Sequence, residues 1–176
     1  MKKSFLFFLF FAAAKITSAQ YKPVEKESSL KFTIENFGFD VHGSFSGFQG
    51  SINFDPQNPS AGSFDVTVDA ATINTDNSLR DKHLKEESYF DVANYPRIHF
   101  LSTKIAGKGS VFTLYGHLTI KGKSKDISFP FTVAAVDDGY VFKGSFKINR
   151  KDFGVGGTST ISNELEVVLT VRVAKV

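Results

Sequence analysis

The sequence predicts an all-β fold, a single antiparallel barrel of eight strands with one short helix between strands three and four. Three observations carry this reading. Apolar and polar residues alternate with period two along most of the chain. Clusters of Gly, Pro, Asn and Asp separate the alternating runs. One segment between the third and fourth runs has helical spacing instead.

The chain opens with Met1-Lys2-Lys3, followed by the apolar run Phe5 to Ala14, then Lys15, and small residues at Thr17 and Ala19. Basic, apolar and small segments in that order read as a cleaved secretory signal over residues 1–19. The apolar run is about half of the roughly 20 residues that a bilayer span needs. The expected mature chain is then one domain, residues 20–176, periplasmic or secreted. Lys2, Lys3 and Lys15 account for the whole excess of 21 Lys and Arg over 18 Asp and Glu. The remainder is balanced in charge, so no global basic field draws nucleic acid or anionic lipid. The chain has no Cys, which excludes disulfides, thiolate metal sites and cysteine nucleophiles. Of its 20 Phe, only five lie in the first 19 residues, and there is no Trp. The core is therefore expected to be rich in Phe.

The strands follow in order. Leu30, Phe32 and Ile34 alternate with Lys31, Thr33 and Glu35. Over 41–54 the apolar parity changes, from Val41, Gly43 and Phe45 to Phe48, Ile52 and Phe54. A single side-chain row cannot do that without an extra residue, so a bulge is expected near Gly47 or Gly50. Phe64, Val66, Val68 and Ala70 form the third row. Residues 76–87 carry Leu79, His83 and Leu84 at helical spacing. Ile98 and Phe100 mark the fourth strand, and Phe112, Leu114, Leu118 and Ile120 the fifth. Ile127, Phe129, Phe131 and Val133 make the sixth; Tyr140, Phe142, Phe146 and Ile148 the seventh. Leu165, Val167, Leu169, Val171 and Val173 make the eighth. Closing such strands removes exposed edges, and eight of them enclose room for one small ligand. A membrane barrel would place its apolar face outward and its polar face in the lumen. Here the polar face is rich in Lys, Asp and Thr, which suits water.

Reactive constellations are scarce. His42, His83, His99 and His117 form no closely spaced ligand pair, so no metal or other cofactor is expected. Gly43-Ser44-Phe45-Ser46-Gly47 centres on Phe45 and so lacks a nucleophile elbow. Gly154-Val155-Gly156-Gly157 precedes no helix and is not a phosphate loop. Two polar clusters stand out: Asn77, Arg80, Asp81 and His83 on the helix, and Asn149, Arg150, Lys151 and Asp152 after the seventh strand. Each reads either as a structural network or as a grip on a ligand's polar head at the barrel rim.

The second cluster continues into Phe153-Gly154, and this stretch resembles the Asn-Arg-x-Asp-Phe-Gly signature of the YceI-like family. Asp69 to Ile73, the helix residues Asn77, Arg80, Asp81, His83 and Leu84, and Tyr89-Phe90-Asp91-Val92-Ala93-Asn94-Tyr95-Pro96 are similar to that family's motifs. So are Gly116, Leu118, Thr119, Ile120 and Gly122. The resemblance spans residues 28 to 173; Tyr89 departs from the usual Phe, and Gly122-Lys123-Ser124-Lys125 is a more polar turn.

The resemblance implies a lipocalin-like eight-stranded barrel that binds a polyisoprenoid or isoprenoid quinone. Without Trp, the likeness to true lipocalins is one of architecture alone. The expected function is carriage or storage of such a lipid by a non-enzymatic binding protein. Stable membrane insertion is not expected, and a homodimer is compatible with the sequence. The expected lumen residues are Phe32, Ile34, Phe45, Val66, Val68, Phe100, Leu118, Phe129, Phe131, Phe142, Phe146 and Leu169. Arg80, Asp81, His83, Asn149, Arg150 and Asp152 form the expected rim or network. Two alternatives are an enzyme using His83, Arg80 or Asp152 on a bound isoprenoid, and a ligand-free structural barrel.

Overall fold

The computed structural model describes residues 19–158 and 160–176. The expected signal segment, up to Ser18, lies outside the described residues. The strands are β1 (Gln20–Pro23), β2 (Ser29–Asn36), β3 (Phe39–Asn53), β4 (Ser63–Asn74), β5 (Arg97–Lys108), β6 (Val111–Ile120), β7 (Lys123–Val136), β8 (Gly139–Asn149) and β9 (Ile161–Lys175). The helix α1 (Ser78–Leu84) joins β4 to β5. Asn77 caps it by accepting a hydrogen bond from the Arg80 amide at 3.0 Å.

Strands β2 to β9 form the closed antiparallel barrel of eight that the alternation predicts, with β3 pairing to β4 to shut the ring. β1 is an addition that the sequence reading did not resolve. It pairs with the end of β3 through Tyr21 and Ile52, and with the end of β9 through Tyr21 and Lys175, where β2 does not reach. A 3-10 turn at Glu25–Glu27 separates β1 from β2. The Glu25 carboxylate accepts hydrogen bonds from the Gly47 and Phe48 amides at 2.7 and 2.6 Å. That contact satisfies backbone donors freed by the bulge in β3.

The bulge lies where the parity change places it. The β3–β4 register shifts between Ser46 and Gln49, with Gly47 at φ +74° and Gly50 at φ +123°. A Cβ on Gly50 would meet the Asp65 carbonyl oxygen at 2.1 Å, so only glycine fits there. β4 carries a second irregularity. Its inward row runs Phe64, Val68, Ala70 and then changes parity to Ile73. Thr72 stabilises the excursion, its hydroxyl donating to the Asp69 carbonyl at 2.6 Å and accepting from the Ser46 amide at 2.9 Å.

The barrel has two unlike ends. The closed end holds the β3–β4, β5–β6 and β7–β8 connections and the C-terminus. Phe54, Phe112, Ile52, Ile105 and Val173 are almost fully buried there. Phe54 packs edge-on against Phe112, Tyr140 and Phe142 at centroid distances of 5.3, 5.6 and 5.4 Å. The other end carries the β2–β3 hairpin, α1, the β6–β7 turn and the β8–β9 loop. Outward-facing Lys31, Glu35, Asp65, Lys143, Lys147 and Glu166 are exposed. A charged outer wall around an apolar interior is the reverse of a membrane-spanning barrel.

Candidate ligand-binding site

The inward rows leave two cavities stacked along the barrel. One, of about 110 Å³, lies in the middle and is lined by Val66, Val68, Phe100, Phe129, Phe131, Phe142 and Leu169 among others. The other, of about 140 Å³, lies towards the α1 end and is lined by Phe32, Ile34, Phe45, Ile73, Phe90, Phe153 and Val155 among others. Leu30, Ile98, Leu118 and Phe146 border both, and form a waist between them. All twelve residues expected on the apolar lumen therefore line one cavity or both.

The space exists because several inward rings lie flat on the wall instead of crossing the lumen. Phe32 sits opposite Gly43 in the β2–β3 register, and a Cβ on Gly43 would meet the ring's Cζ at 2.3 Å. Phe100 covers Gly116 in the same way, its Cζ 2.5 Å from where a Cβ would be. Phe129 leans on Gly144 and stacks on Phe146 at 4.5 Å. A glycine under a ring gives the ring a shallow seat.

The six polar candidates separate. Arg80 and Arg150 line the outer cavity. Asp81, His83, Asn149 and Asp152 do not. Asp81 accepts from the amide and hydroxyl of buried Thr75 at 2.9 and 2.6 Å. Arg80 donates through Nε to the Thr75 hydroxyl and through a terminal nitrogen to the Thr75 carbonyl, both at 2.7 Å. Thr75, Arg80 and Asp81 thus lock the start of the β4–β5 crossover. Asn149 caps the 3-10 turn at Arg150–Phe153 through the Lys151 amide. His83 pairs with Glu86 at 3.3 Å on the surface, and Asp152 is exposed.

Arg150 is 5 % exposed. It donates to the carbonyls of Val155, Gly156, Ile161 and Ser162, so one guanidinium ties together the two limbs of the β8–β9 loop. Burial lowers its pKa from the ordinary guanidinium value. The turn beneath it needs Gly154 at φ +69°, which gives a physical reason for a Phe-Gly after the Arg.

Several lining residues escaped the sequence reading. Tyr89, Phe90, Phe153 and Val155 come from loops and turns, where alternation carries no signal. Asn36, at the end of β2, also lines the outer cavity, and its side-chain oxygen is buried with no hydrogen-bond partner. A buried acceptor without a donor is costly unless something fills the site. The histidines disperse to separate surface partners, Thr33, Glu86, Asp65 and Asp126. Among the described residues there is no group of three or more His, Cys, Asp or Glu positioned to hold a metal ion.

A family model of the YceI-like domain matches residues 21–173, nearly the whole described chain. The chain belongs to the YceI-like family. A YceI protein of Salmonella agona is 30% identical over 98% of this chain and 97% of its own length. A UPF0312 protein of Yersinia pestis is 31% identical over 93% of this chain and 91% of its own. In three dimensions this YceI-like barrel is similar to the crystal structure of Burkholderia cenocepacia BcnA, with a TM-score of 0.81 and 27% identity. That likeness covers 86% of this chain and 99% of the other. It also shares its fold with a polyisoprenoid-binding domain of Saccharophagus degradans, at a TM-score of 0.73 and 14% identity, over 89% and 98% of the two chains.

Proposed function

We propose that this YceI-like protein is an exported carrier or store of a long apolar chain of isoprenoid type, a polyprenyl lipid or an isoprenoid quinone. The observation that carries the reading is the pair of aligned cavities, walled by Phe, Leu, Ile and Val with almost no polar atoms along their length. Such a lining rejects sugars and charged metabolites, because their polar groups would lose water without gaining partners. The polyisoprenoid-binding neighbour from Saccharophagus degradans supports the chemical class. Among the polar residues that line the outer cavity, Asn36 and Arg80 are the ones this reading assigns to a head group. Of the residues the enzyme alternative would use, Arg80 lines the outer cavity, whereas His83 and Asp152 stand outside both cavities.

The size of the lumen sets an expectation about chain length. A cavity of about 150 Å³ accommodates a benzene-sized molecule. Each of the two cavities is thus short for a polyprenyl chain, and a longer one must part the waist at Leu30, Ile98, Leu118 and Phe146. Each buried methylene contributes about 0.8 kcal/mol, so one isoprene unit contributes on the order of 3 kcal/mol before costs. Six units would reach the practical ceiling of about 18–21 kcal/mol. Affinity for prenyl alcohols should therefore rise with length and then level off, because ordering the chain and opening the waist consume the gain.

The deciding experiment is solvent extraction of the purified protein followed by mass spectrometry. A stoichiometric isoprenoid supports the reading. An empty barrel that also ignores prenyl-chain length in calorimetry would favour the structural alternative.

A further inference from the structure

The β2–β3 hairpin ends in Phe37-Gly38-Phe39, and both aromatic rings point into solvent. Phe37 is 73% exposed and Phe39 is 75% exposed. Leu79, on the first turn of α1 at the same end of the barrel, is 67% exposed. Each is next to, or two residues from, a side chain that lines the outer cavity: Asn36, Val41 and Arg80. Exposed bulky apolar side chains therefore crown the mouth of the cavity.

The hairpin turn adds an independent observation. Phe37 stands at φ +53° and Gly38 at φ +81°. A two-residue turn of this kind favours Asn, Asp or Gly at both positions. A bulky aromatic in the left-handed region is a steric outlier. Among the described residues nothing covers the two rings, which stay 73% and 75% exposed. Strain of this sort, kept at a surface tip, points to a role outside the fold.

We propose that Phe37, Phe39 and Leu79 form a reversible membrane-docking wedge that seats the cavity mouth on a lipid bilayer. Each of the three stands one or two residues from a side chain that lines the outer cavity, so, resting on the carrier reading above, this end is where an apolar chain passes between bilayer and barrel. Its area argues against a second copy of the chain. Three such side chains present on the order of 400 Å², about half of the ~800 Å² per partner of a stable protein interface. The exposed charges near the patch in the chain have both signs, Glu35, Asp40 and Asp76 beside Lys82, while Arg80 and Asp81 are bound to Thr75. With the charges mixed, anchoring rests on the apolar side chains and does not need anionic lipid. Ala19, the first described residue, lies at the opposite end beside β1.

The absence of Trp makes the test clean. Phe37→Trp and Phe39→Trp each place a single reporter on the tip, and Val111→Trp places one at the closed end. With isoprenoid-free phosphatidylcholine vesicles, the two tip reporters should shift to the blue and be quenched by brominated acyl chains, while the Val111 reporter stays unchanged. Phe37→Asn combined with Phe39→Ser should lower vesicle co-sedimentation at least tenfold. The melting temperature of that variant should not fall, because Asn suits the left-handed position. Tip reporters indifferent to vesicles would overturn the proposal, as would a double variant that still co-sediments. A blue shift that follows protein concentration without vesicles would assign the patch to a second copy instead. Because the vesicles contain no isoprenoid, this result is independent of the identity of the cargo.

Discussion

At the closed end of the barrel, inward rings crowd around one another; further towards the mouth, Phe32, Phe100 and Phe129 each have a ring on one side and glycine on the other. Phe54 is enclosed by Phe64, Phe112, Phe131, Tyr140 and Phe142 and is 2 % exposed. Phe32 touches the ring of Phe45 at 5.7 Å and otherwise rests on Gly43. Phe32 belongs to the inward row of β2, and Phe54 follows the inward row of β3 just past its last residue, Asn53. What differs is the neighbour across the lumen or across the strand pair. Ring against ring fills the barrel and shuts it, whereas ring against glycine clears it. One pattern of alternation thus produces both a plug and a binding space, and the two halves should respond differently to substitution.

The largest effect is expected at the plug. Phe54→Ala should cost about 3–5 kcal/mol, through lost burial and the cavity left behind. Phe32→Ala should cost clearly less in the ligand-free protein, because its ring already borders empty space, yet it should weaken ligand binding. Chemical denaturation of the stripped protein checks both. Equal losses would erase the distinction between the two ends.

Arg150→Ala comes next, with a loss of about 3 kcal/mol, since hydrogen bonds from a charged donor to four buried or partly buried carbonyls disappear together. Ligand content per folded molecule should be retained. Arg150→Lys should not rescue stability, because a single ammonium cannot span carbonyls on both limbs of the loop. Loss of ligand with an unchanged melting temperature would assign Arg150 to the head group. Arg80→Ala should show a milder melting change of about 1 kcal/mol, together with altered preference among prenyl head groups in competition assays.

Gly43→Ala should change stability by less than about 1 kcal/mol, since the atom in conflict is the far end of a movable ring. It should nonetheless shorten the longest prenyl alcohol bound, because the new methyl group pushes Phe32 into the lumen. An unchanged length plateau in calorimetry would show that the glycine seat does not set the space.

The smallest effect is an acid response at the closed end. Arg172 donates a hydrogen bond to Asp138 and holds its carboxyl below the ordinary 3.8. A lowered folded-state pKa contributes stability above 3.8 that is lost as pH falls through the folded value. Asp138→Asn should therefore lower the melting temperature slightly near neutrality and flatten its fall below pH 4. The side chain is exposed, so the shift should be slight.

Much of this comparison is legible in the chain itself. Strand parity places Phe32, Phe129, Phe131, Phe142 and Phe146 on the inner face, and the switch at Gly47–Gly50 marks the bulge, because both depend on a two-residue period. The short β1 strand is not legible, since Gln20 to Pro23 are too few to show a period and their partners lie far along the chain, at Ile52, Asn53 and Val173 to Lys175. Asn36 and Thr75 are equally silent, being ordinary polar residues at strand ends whose burial depends on how α1 and the β8–β9 loop cross the mouth. The polar clusters are visible but their division is not. Arg150 and Asp152 lie two residues apart, and only the geometry of the 3-10 turn sends one inward and the other to water.

The glycine seat under Phe32 has a consequence for the width of the bore. Gly43 lies inside the regular β2–β3 ladder, and the atoms nearest an added methyl there all belong to the Phe32 ring, whereas a methyl on Gly116 would meet the Leu101 carbonyl oxygen at 2.4 Å and one on Gly144 the Pro130 carbonyl oxygen at 3.1 Å. Exchange at Gly43 tips the Phe32 ring by a small step into the bore. The width of the barrel can in this way be re-gauged at a single position, with no loop rebuilt and no charge moved.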